Sequence, residues 1–263
     1  MSARIRHIAI VSDQYALLGR FYQAVFGMTM ADDTRPDRAV TVTDGYVGLN
    51  INPRKPGRPA GLDHFGIEVD DVEAVCIRLQ HYRDVHFVKR PSTRPFAGIS
   101  ANDPAGNVFD ISQAHMENRK SVYVEAPRVE PRRISHLAIR TLQHGDVARF
   151  YEAVFGLKRT HTDLGEELSD GRVTLVLMPW DVRDYENGGI VRPGPDHLGF
   201  AVDDLDALKE RIASVGDNNP HLRPLPLGAG KEGAARLALF ARCHHGAFQL
   251  ADPDGILIDV AQG

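Results

Sequence analysis

The sequence predicts an α+β protein that consists of two repeated halves. The segment Arg20–Met28 (RFYQAVFGM) returns 129 residues later as Arg149–Leu157 (RFYEAVFGL). The strand-like segment Ile5–Ile10 (IRHIAI) returns at the same offset as Ile134–Ile139 (ISHLAI). Repeats at a fixed offset indicate duplicated structural units, and these two segments carry strand and helix periodicities in turn. A duplicated strand-then-helix plan therefore organises the chain.

The first unit begins with a strand at residues 5–11, where apolar and other residues alternate. A helix follows, because the next apolar residues have the i, i+3, i+4, i+7 spacing; they are Leu18, Phe21, Tyr22 and Val25. Gly27 ends this helix, since glycine is favoured just beyond helix C-termini. Alternating stretches at 39–43 and 46–51 complete the unit.

The second unit repeats the order, with a strand at 64–69 and a helix at 72–80 that Asp70 and Asp71 cap. Its last strand lies at 108–112. The second half follows the same plan at 134–140, 146–156, 172–178, 197–202, 204–214 and 246–260. The architecture is therefore four units of a strand, a helix and further strands, two in each half.

These repeats divide the chain into an N-terminal domain, 1–113, a charged and proline-containing linker, 114–132, and a C-terminal domain, 133–263. The offset between matching motifs grows from 133 to 149 along the second half, so this half carries about 16 extra residues. They lie between Gly216 and His245, in a stretch rich in proline and glycine, which is typical of a loop.

Composition and charge exclude several functions. A formal net charge of −4 provides no polycationic surface, so we expect no nucleic-acid partner. No apolar run approaches the roughly 20 residues of a membrane span, and no signal-peptide core is present. Two cysteines, Cys76 and Cys243, cannot form a disulfide framework. We therefore expect a cytoplasmic protein that binds a small molecule.

Four histidines occupy matching strand positions in the four units: His7, His64, His136 and His197. Side chains alternate between the faces of a strand, so each histidine points away from its bulky neighbours. The residue two positions further on is alanine or glycine in every case, which leaves space beside each ring. A lone histidine in a strand is usually a hydrogen-bonded core residue, but a fourfold recurrence favours a shared role such as metal ligation.

The order of motifs resembles the vicinal oxygen chelate superfamily, which includes glyoxalase I, type I extradiol dioxygenases, epimerases, and bleomycin- and fosfomycin-resistance proteins. The resemblance rests on Phe-Tyr-x-x-Val-Phe-Gly in the first helix of each half and on Asp-Pro-x-Gly before the last strand, at Asp103–Gly106 and Asp252–Gly255. It covers both halves and implies two tandem domains, each a cup of paired βαβββ units. It does not specify the reaction, because the family supports many chemistries on one fold.

The resemblance places metal ligands on the first strand of each unit and on the last strand. In the C-terminal half these residues are His136, His197 and Asp259. In the N-terminal half they are His7, His64 and Asp110. We expect the C-terminal set to be the working site, because that half adds a loop and the cluster Arg242–His245 before its last strand. A site in each half is the second option, and a metal-free cup that binds an organic ligand is the third.

Two departures from the family pattern bear on this site. The family carboxylate is normally glutamate, and aspartate is shorter by about 1.5 Å, so the strand must lie closer or a water must bridge. Gln249 stands where extradiol enzymes have a tyrosine. His244 and His245 are the candidates for acid–base catalysis, because imidazole titrates near neutrality.

Ligand number favours an oxygenase. Glyoxalase-type sites take a fourth ligand from the strands that correspond to 46–51 and 172–177, and neither segment has a carboxylate. Two histidines and one carboxylate form the facial triad of non-haem Fe(II) oxygenases. We therefore predict a metal-dependent, extradiol-like dioxygenase acting on a vicinal diol, with Fe(II) as the metal and Mn(II) or another divalent ion as alternatives. The rival functions are a non-redox lyase, isomerase or epimerase, and a protein that sequesters a small molecule. The resemblance is also compatible with a homo-oligomer.

Overall fold

Each half of the chain forms one mixed β-sheet with helices packed on one face, as described by a computed structural model. The described residues are 3–31, 39–90, 98–116, 132–163, 165–180, 193–228, 237–238, 240–241 and 245–263. The α+β class and the paired units of each half are as predicted. Within these ranges, no helix is both long enough and apolar enough to cross a membrane.

The N-terminal sheet has eight strands in the order β2-β3-β4-β1-β5-β8-β7-β6. Its elements are β1 Ala3–Ser12, α1 Tyr15–Phe26, β2 Thr29–Met30, β3 Val40–Thr43, β4 Gly48–Pro53, β5 Gly61–Val69, α2 Val72–Leu79, β6 Phe87–Lys89, β7 Ile99–Asn102 and β8 Val108–Gln113. Strand β1 pairs in parallel with β4 and antiparallel with β5, so it joins the two units into a single sheet.

The C-terminal sheet has seven strands in the order β10-β11-β12-β9-β13-β15-β14. Its elements are β9 Arg132–Thr141, α3 His144–Phe155, β10 Lys158–Thr162, β11 Gly165–Ser169, β12 Thr174–Pro179, β13 Gly194–Val202, α4 Leu205–Asn218, a 3₁₀ turn Pro220–Leu222, β14 Phe248–Ala251 and β15 Leu257–Gln262. Leu225 makes an isolated bridge to Ala251, on the side of β14 that corresponds to the position of β6 in the first half.

The helices lie where the periodicity predicts them. Gly27 and Gly156 end α1 and α3 in the left-handed conformation, with φ of 69° at both. Asp71 caps α2, and its side chain accepts from the backbone N–H of Ala74. Helix α4 extends to Asn218, four residues beyond the predicted end. Strands β10 and β11 were not predicted, because polar residues occupy both of their faces and leave no apolar alternation.

The two halves share one continuous apolar core. The first helix of each half packs against the second helix of the other half, α1 on α4 and α3 on α2. Aromatic rings fill this junction: Phe26 stacks on Phe200 with ring centroids 3.9 Å apart, and Tyr82 meets Phe150 edge to face at 5.0 Å. Burial of such large rings is the main source of stability at the junction.

Two buried tyrosines also link the halves reciprocally. Tyr22 of α1 donates to Asp252 of the C-terminal Asp-Pro-x-Gly turn, at 2.8 Å, and Tyr151 of α3 donates to Asp103 of the N-terminal turn, at 3.2 Å. Both aspartates also accept backbone N–H groups of their own turns. Complete burial raises the pKa of Asp252 to about 7. The Asp-Pro-x-Gly motif therefore has a structural role in both halves.

Replacing Tyr22 with phenylalanine is expected to destabilise the protein more than the same change at Tyr151. The oxygen of Asp103 that accepts from Tyr151, Oδ2, also accepts from the side-chain amide of Asn107, at 2.7 Å. In the other turn the residue corresponding to Asn107 is Ile256, which cannot donate from its side chain. Loss of a donor to a buried carboxylate costs about 1–3 kcal/mol. Urea denaturation should give about 2–3 kcal/mol for Tyr22→Phe and about 1 kcal/mol for Tyr151→Phe. Equal losses would contradict the asymmetry.

Candidate metal centres

The four predicted histidines lie on the sheet faces that point away from the helices. Their bulky strand neighbours, such as Ile8 on β1 and Leu137 on β9, are fully buried in the shared core. The histidines themselves are buried or nearly so on the inner, cup-lining faces. Strand alternation thus separates a packing face from a polar face, as the sequence predicts.

The C-terminal cup brings together His136 of β9, His197 of β13 and Asp259 of β15. One potential ligand atom from each lies within 4.8 Å of the others, and all three residues are buried. Nε2 of His136 is 3.7 Å from Oδ2 of Asp259. Donors that share a metal at about 2.1 Å lie about 3.0–3.4 Å apart, so small side-chain shifts would suffice to share an ion. The aspartate reaches the site without the longer side chain of glutamate.

Two nitrogen atoms in this cup have no hydrogen-bond partner among the described residues. They are Nε2 of His136 and Nε2 of His197, both fully buried. A buried polar atom without a partner costs about 1–3 kcal/mol, and a metal ion would satisfy both atoms. Burial, together with the neighbouring His197 and His245, holds the pKa of His136 well below 6.5. His136 is therefore neutral at pH 7, which is the form that binds metals.

The carboxylate of Asp259 is fixed by donors from residues 245–249, at the start of the last hairpin. Oδ2 accepts the backbone N–H groups of His245, at 2.6 Å, and Gly246, at 2.8 Å. Oδ1 accepts from Nε2 of Gln249 at 3.1 Å. A side chain at Gly246 would collide with the Val260 carbonyl oxygen at 2.2 Å, so glycine is needed here. Gln249 thus orients the carboxylate from the position where the family pattern has a tyrosine.

An aspartate immediately before the second histidine of the cup orients its ring. Oδ2 of Asp196 lies 2.7 Å from Nδ1 of His197, and Oδ1 accepts from the guanidinium of Arg140. All three side chains are 5% exposed or less. The carboxylate holds the proton on Nδ1, so Nε2 presents its lone pair to the cup.

Glycines beside the first histidine of each cup leave the space that its ring fills. A Cβ atom at Gly199 would lie 1.9 Å from Nδ1 of His136, and one at Gly66 would lie 2.8 Å from Cδ2 of His7. Both distances are under 3.0 Å, which is shorter than Cβ atoms approach non-bonded atoms in real structures. The small residues recognised in the sequence therefore have a steric function at these two positions.

The N-terminal cup contains the corresponding set, His7, His64 and Asp110, whose ligand atoms also lie within 4.8 Å of one another. Nε2 of His64 is 3.3 Å from Nε2 of His7 and 3.2 Å from Oδ2 of Asp110. Burial opposes the charge on His64, but Asp110 and Asp63 raise its pKa to about 9. Because this pKa lies above 7, a metal that binds in this cup must displace the proton of His64.

The supporting groups of the N-terminal cup follow the same plan. Asp63 accepts from Nδ1 of His64 at 2.8 Å, and the hydroxyl of Ser100 donates to Oδ1 of Asp110. Ser100 pairs with Asp110 across the sheet as Gln249 pairs with Asp259. Asp63 binds Arg58, whose side chain is 55% exposed, whereas the partner of Asp196 is buried. The C-terminal cup is thus the more deeply enclosed of the two.

Two further groups lie beside the C-terminal set. The ring of His245 packs edge to face on His136, with centroids 5.2 Å apart. Its Nε2 lies 3.8 Å from Oε1 of Glu167 on β11. His244, the other predicted acid–base residue, lies outside the described residues. The structure therefore brings one of the two candidates to the metal ligands and adds a carboxylate.

A family model decides the relationship. The model for the Glyoxalase/Bleomycin resistance protein/Dioxygenase superfamily matches residues 4–111 and 133–260. The chain belongs to this superfamily. The resemblance seen in the sequence is therefore confirmed, and so is its extension over both halves.

Proteins that are similar to this chain carry different activities in their names. CFP32 of Mycobacterium tuberculosis (strain CDC 1551 / Oshkosh), proposed to be a glyoxylase, is 27% identical over 211 residues, which are 75% of this chain and 76% of CFP32. A catechol 2,3-dioxygenase structure aligns with 99% of this chain and 87% of its own, at a TM-score of 0.63 and 15% identity. The Mn(II)-bound glyoxalase from Novosphingobium aromaticivorans aligns with 98% and 81%, at 0.62 and 14%. At such identities the structures establish the fold alone.

The sequence patterns did not identify several residues that lie beside the metal ligands of the two cups. Asp63 and Asp196 stand directly before the ligand histidines in the repeated Asp-His pair, which was the available signal. Glu167 carries no comparable signal, because its strand lacks apolar alternation and the corresponding residue of the first half is Thr41. Only the pairing of β11 with β12 places it inside the cup.

Proposed function

We propose that this protein is a metal-dependent enzyme whose reaction takes place in the C-terminal cup, on a small molecule with two neighbouring oxygen atoms. The observation that carries the proposal is a pair of buried nitrogen atoms, Nε2 of His136 and of His197, that have no hydrogen-bond partner in the part of the chain that the structure describes. They lie beside the Asp259 carboxylate, which three donors fix. Such an arrangement costs stability in the absence of an ion and is repaired by a divalent metal.

His136, His197 and Asp259 would hold the metal, with Fe(II) or Mn(II) as the ions that suit two imidazoles and one carboxylate. When bound, the metal supplies positive charge that acidifies a substrate hydroxyl and, as Fe(II), a redox couple for reaction with O₂. Asp196 keeps the His197 ring in the ligating tautomer.

The inner wall of the C-terminal cup supports an aromatic diol as the substrate. Ala138, Val176 and Met178 form a buried apolar cluster next to His136, and Trp180 packs against it. A flat apolar ring would gain about 25 cal/mol for each Å² that it buries on this wall. Its two oxygens would then point toward the three ligands. A catechol-like ring therefore matches both the polar and the apolar part of the cup.

His245 is the group that would move the substrate proton. Its ring packs edge to face on that of His136, and its Nε2 lies 3.8 Å from Oε1 of Glu167. A histidine within reach of a metal site serves as acid or base near neutral pH. The backbone of His245 also holds Asp259, so one residue couples the carboxylate ligand to the proton acceptor.

A second candidate is a non-redox lyase, isomerase or epimerase. Glu167 favours it, because a carboxylate inside the cup can remove a proton from carbon while the metal stabilises the resulting enediolate charge. The family membership is compatible with both classes. A catechol ring-cleaving reaction consumes O₂, whereas an isomerisation does not, so oxygen uptake separates them.

Replacing His136 with alanine should abolish activity, whereas replacing His7 should leave it nearly intact. The test uses protein purified anaerobically, metal analysis, and an oxygen electrode with a panel of catechols. Loss of a metal ligand is expected to reduce kcat/KM by about 10³-fold or more. His7→Ala is the matched control because it removes the corresponding residue of the other cup.

Three other outcomes would revise the proposal. Activity lost with His7→Ala alone would assign the reaction to the N-terminal cup. Metal binding without oxygen uptake, with Mn(II), Ni(II) or Zn(II) retained as well as iron, would favour the lyase or isomerase. A C-terminal cup that takes up no divalent metal would contradict both enzyme classes and leave a protein that sequesters its ligand.

A further inference from the structure

The two cups differ in the chemistry of their inner walls at corresponding positions. Ala9 pairs with Asn50 in the first half as Ala138 pairs with Val176 in the second, so Asn50 and Val176 are equivalent. Two residues further along the same strands, Asn52 corresponds to Met178. The wall that is apolar in the C-terminal cup is therefore built from carboxamides in the N-terminal cup.

The carboxamides of the N-terminal wall are held in place. Oδ1 of Asn50 accepts from the hydroxyl of Thr41 at 3.2 Å, and Nδ2 of Asn52 donates to the Asn50 carbonyl at 3.0 Å. With Oδ1 engaged, Asn50 offers the cup mainly the donor capacity of its Nδ2. Asn50 is 7% exposed, so a ligand oxygen that accepts there would replace little competing water. The wall suits an oxygen-rich ligand and penalises an apolar ring.

The floor of the same cup can hold a metal. Nε2 of His64 lies 3.3 Å from Nε2 of His7 and 3.2 Å from Oδ2 of Asp110. Both distances are close to those between donors that share one metal ion. Asp63 and Ser100 orient two of them. The side chain of His64 is 17% exposed, whereas that of His197 is fully buried, so this floor is reached from solvent more directly.

We propose that the N-terminal cup is a second, separate divalent-metal site, and that its ligand is a small oxygen-rich anion such as an α-hydroxycarboxylate. His7, His64 and Asp110 would hold the ion, and an oxygen of the ligand would accept from the Asn50 amide. The chain would then carry two cups of one fold with different ligands, polar in the first half and apolar in the second.

Metal stoichiometry tests the first part independently of any activity. Co(II) is added anaerobically to the whole protein, and binding is followed by equilibrium dialysis and visible absorption. The native chain should bind two Co(II), and His7→Ala and His136→Ala should each bind one. If the native chain binds one Co(II) and the His7→Ala protein binds the same amount, this proposal is overturned. One Co(II) that is unaffected by His136→Ala would instead overturn the C-terminal centre.

Ligand preference tests the second part in the His136→Ala protein, whose remaining Co(II) reports on the N-terminal cup. Glycolate should change its absorption at concentrations at least 10-fold lower than 4-methylcatechol does. The double variant Asn50→Val/Asn52→Met, which carries the C-terminal wall, should reverse this order. A glycolate affinity that the wall residues do not change would overturn the proposal. Should the double variant fail to melt cooperatively, Asn50→Val alone, which removes the carboxamide proposed to contact the ligand, makes the same comparison.

Discussion

Replacing Gly199 with alanine is expected to abolish metal binding in the C-terminal cup. The new Cβ atom would lie 1.9 Å from Nδ1 and 2.0 Å from Cε1 of His136. The ring must therefore leave its position, and it takes Nε2 away from His197 and Asp259. We expect the metal affinity of this cup to fall by at least about 100-fold, with about 1–3 kcal/mol of destabilisation from overpacking. Isothermal titration with Mn(II) and thermal unfolding measure the two effects separately.

The matched control is Gly66→Ala in the N-terminal cup. There the added Cβ atom would meet Cδ2 of His7 at 2.8 Å, a collision that a smaller rotation of the ring relieves. Metal binding by the C-terminal cup should be unchanged in this variant. Full Mn(II) affinity with an unchanged number of bound ions in Gly199→Ala, in a protein that melts like the native chain, would show that His136 is not a ligand.

Much of this site could be predicted because the chain contains repeated units, whose corresponding positions can be compared with one another. A single histidine between apolar residues has several explanations, but His136 has counterparts at three matching positions. Alternation then fixed the face on which each ring lies, and Gly199 and Ala138 indicated the space beside it. Those inferences need only local geometry, and local geometry is the part of a fold that sequence patterns describe best.

The residues that sequence reasoning missed depend on irregular or long-range geometry. Asp63 and Asp196 each directly precede a ligand histidine, and strict alternation would send their side chains to the opposite face. The strand register shifts at both positions, between Leu62 and His64 and between Pro195 and His197. Such a bulge redirects a side chain, so each aspartate can reach Nδ1 of the following ring.

Local sequence patterns also could not predict the contacts between the two halves. Tyr22 and Tyr151 fall on apolar helix faces, which correctly predicts burial. The acceptors of their hydroxyl groups belong to the opposite half, more than 40 residues away in one case and more than 200 in the other. Spacing within one helix contains no information about such a partner. The packing of α1 on α4 and of α3 on α2 supplies it.

Replacing Asp196 with asparagine should impair both metal binding and stability, although the two side chains have nearly the same shape. The native carboxylate accepts from the Arg140 guanidinium with one oxygen and from Nδ1 of His197 with the other. Asparagine has a single carboxamide oxygen, and this oxygen will accept from the buried Arg140 cation, because a charged donor forms the stronger hydrogen bond. The amide NH₂ group then faces Nδ1 and favours the His197 tautomer that carries its proton on Nε2. That proton occupies the lone pair that a metal would use.

The expected losses for Asp196→Asn are about 10–100-fold in metal affinity and about 3–5 kcal/mol in stability, because Arg140 would be left as a buried cation without its counter-charge. Mn(II) titration and urea denaturation measure them, and ¹⁵N NMR of the imidazole nitrogens identifies the tautomer. Asp63→Asn is the control: its partner Arg58 is largely exposed, so we expect a stability change below about 1 kcal/mol. An Asp196→Asn protein with unchanged metal affinity and the proton still on Nδ1 would contradict the role assigned to this carboxylate. The C-terminal cup therefore depends on the buried chain of Arg140, Asp196 and His197 as much as on its three ligands.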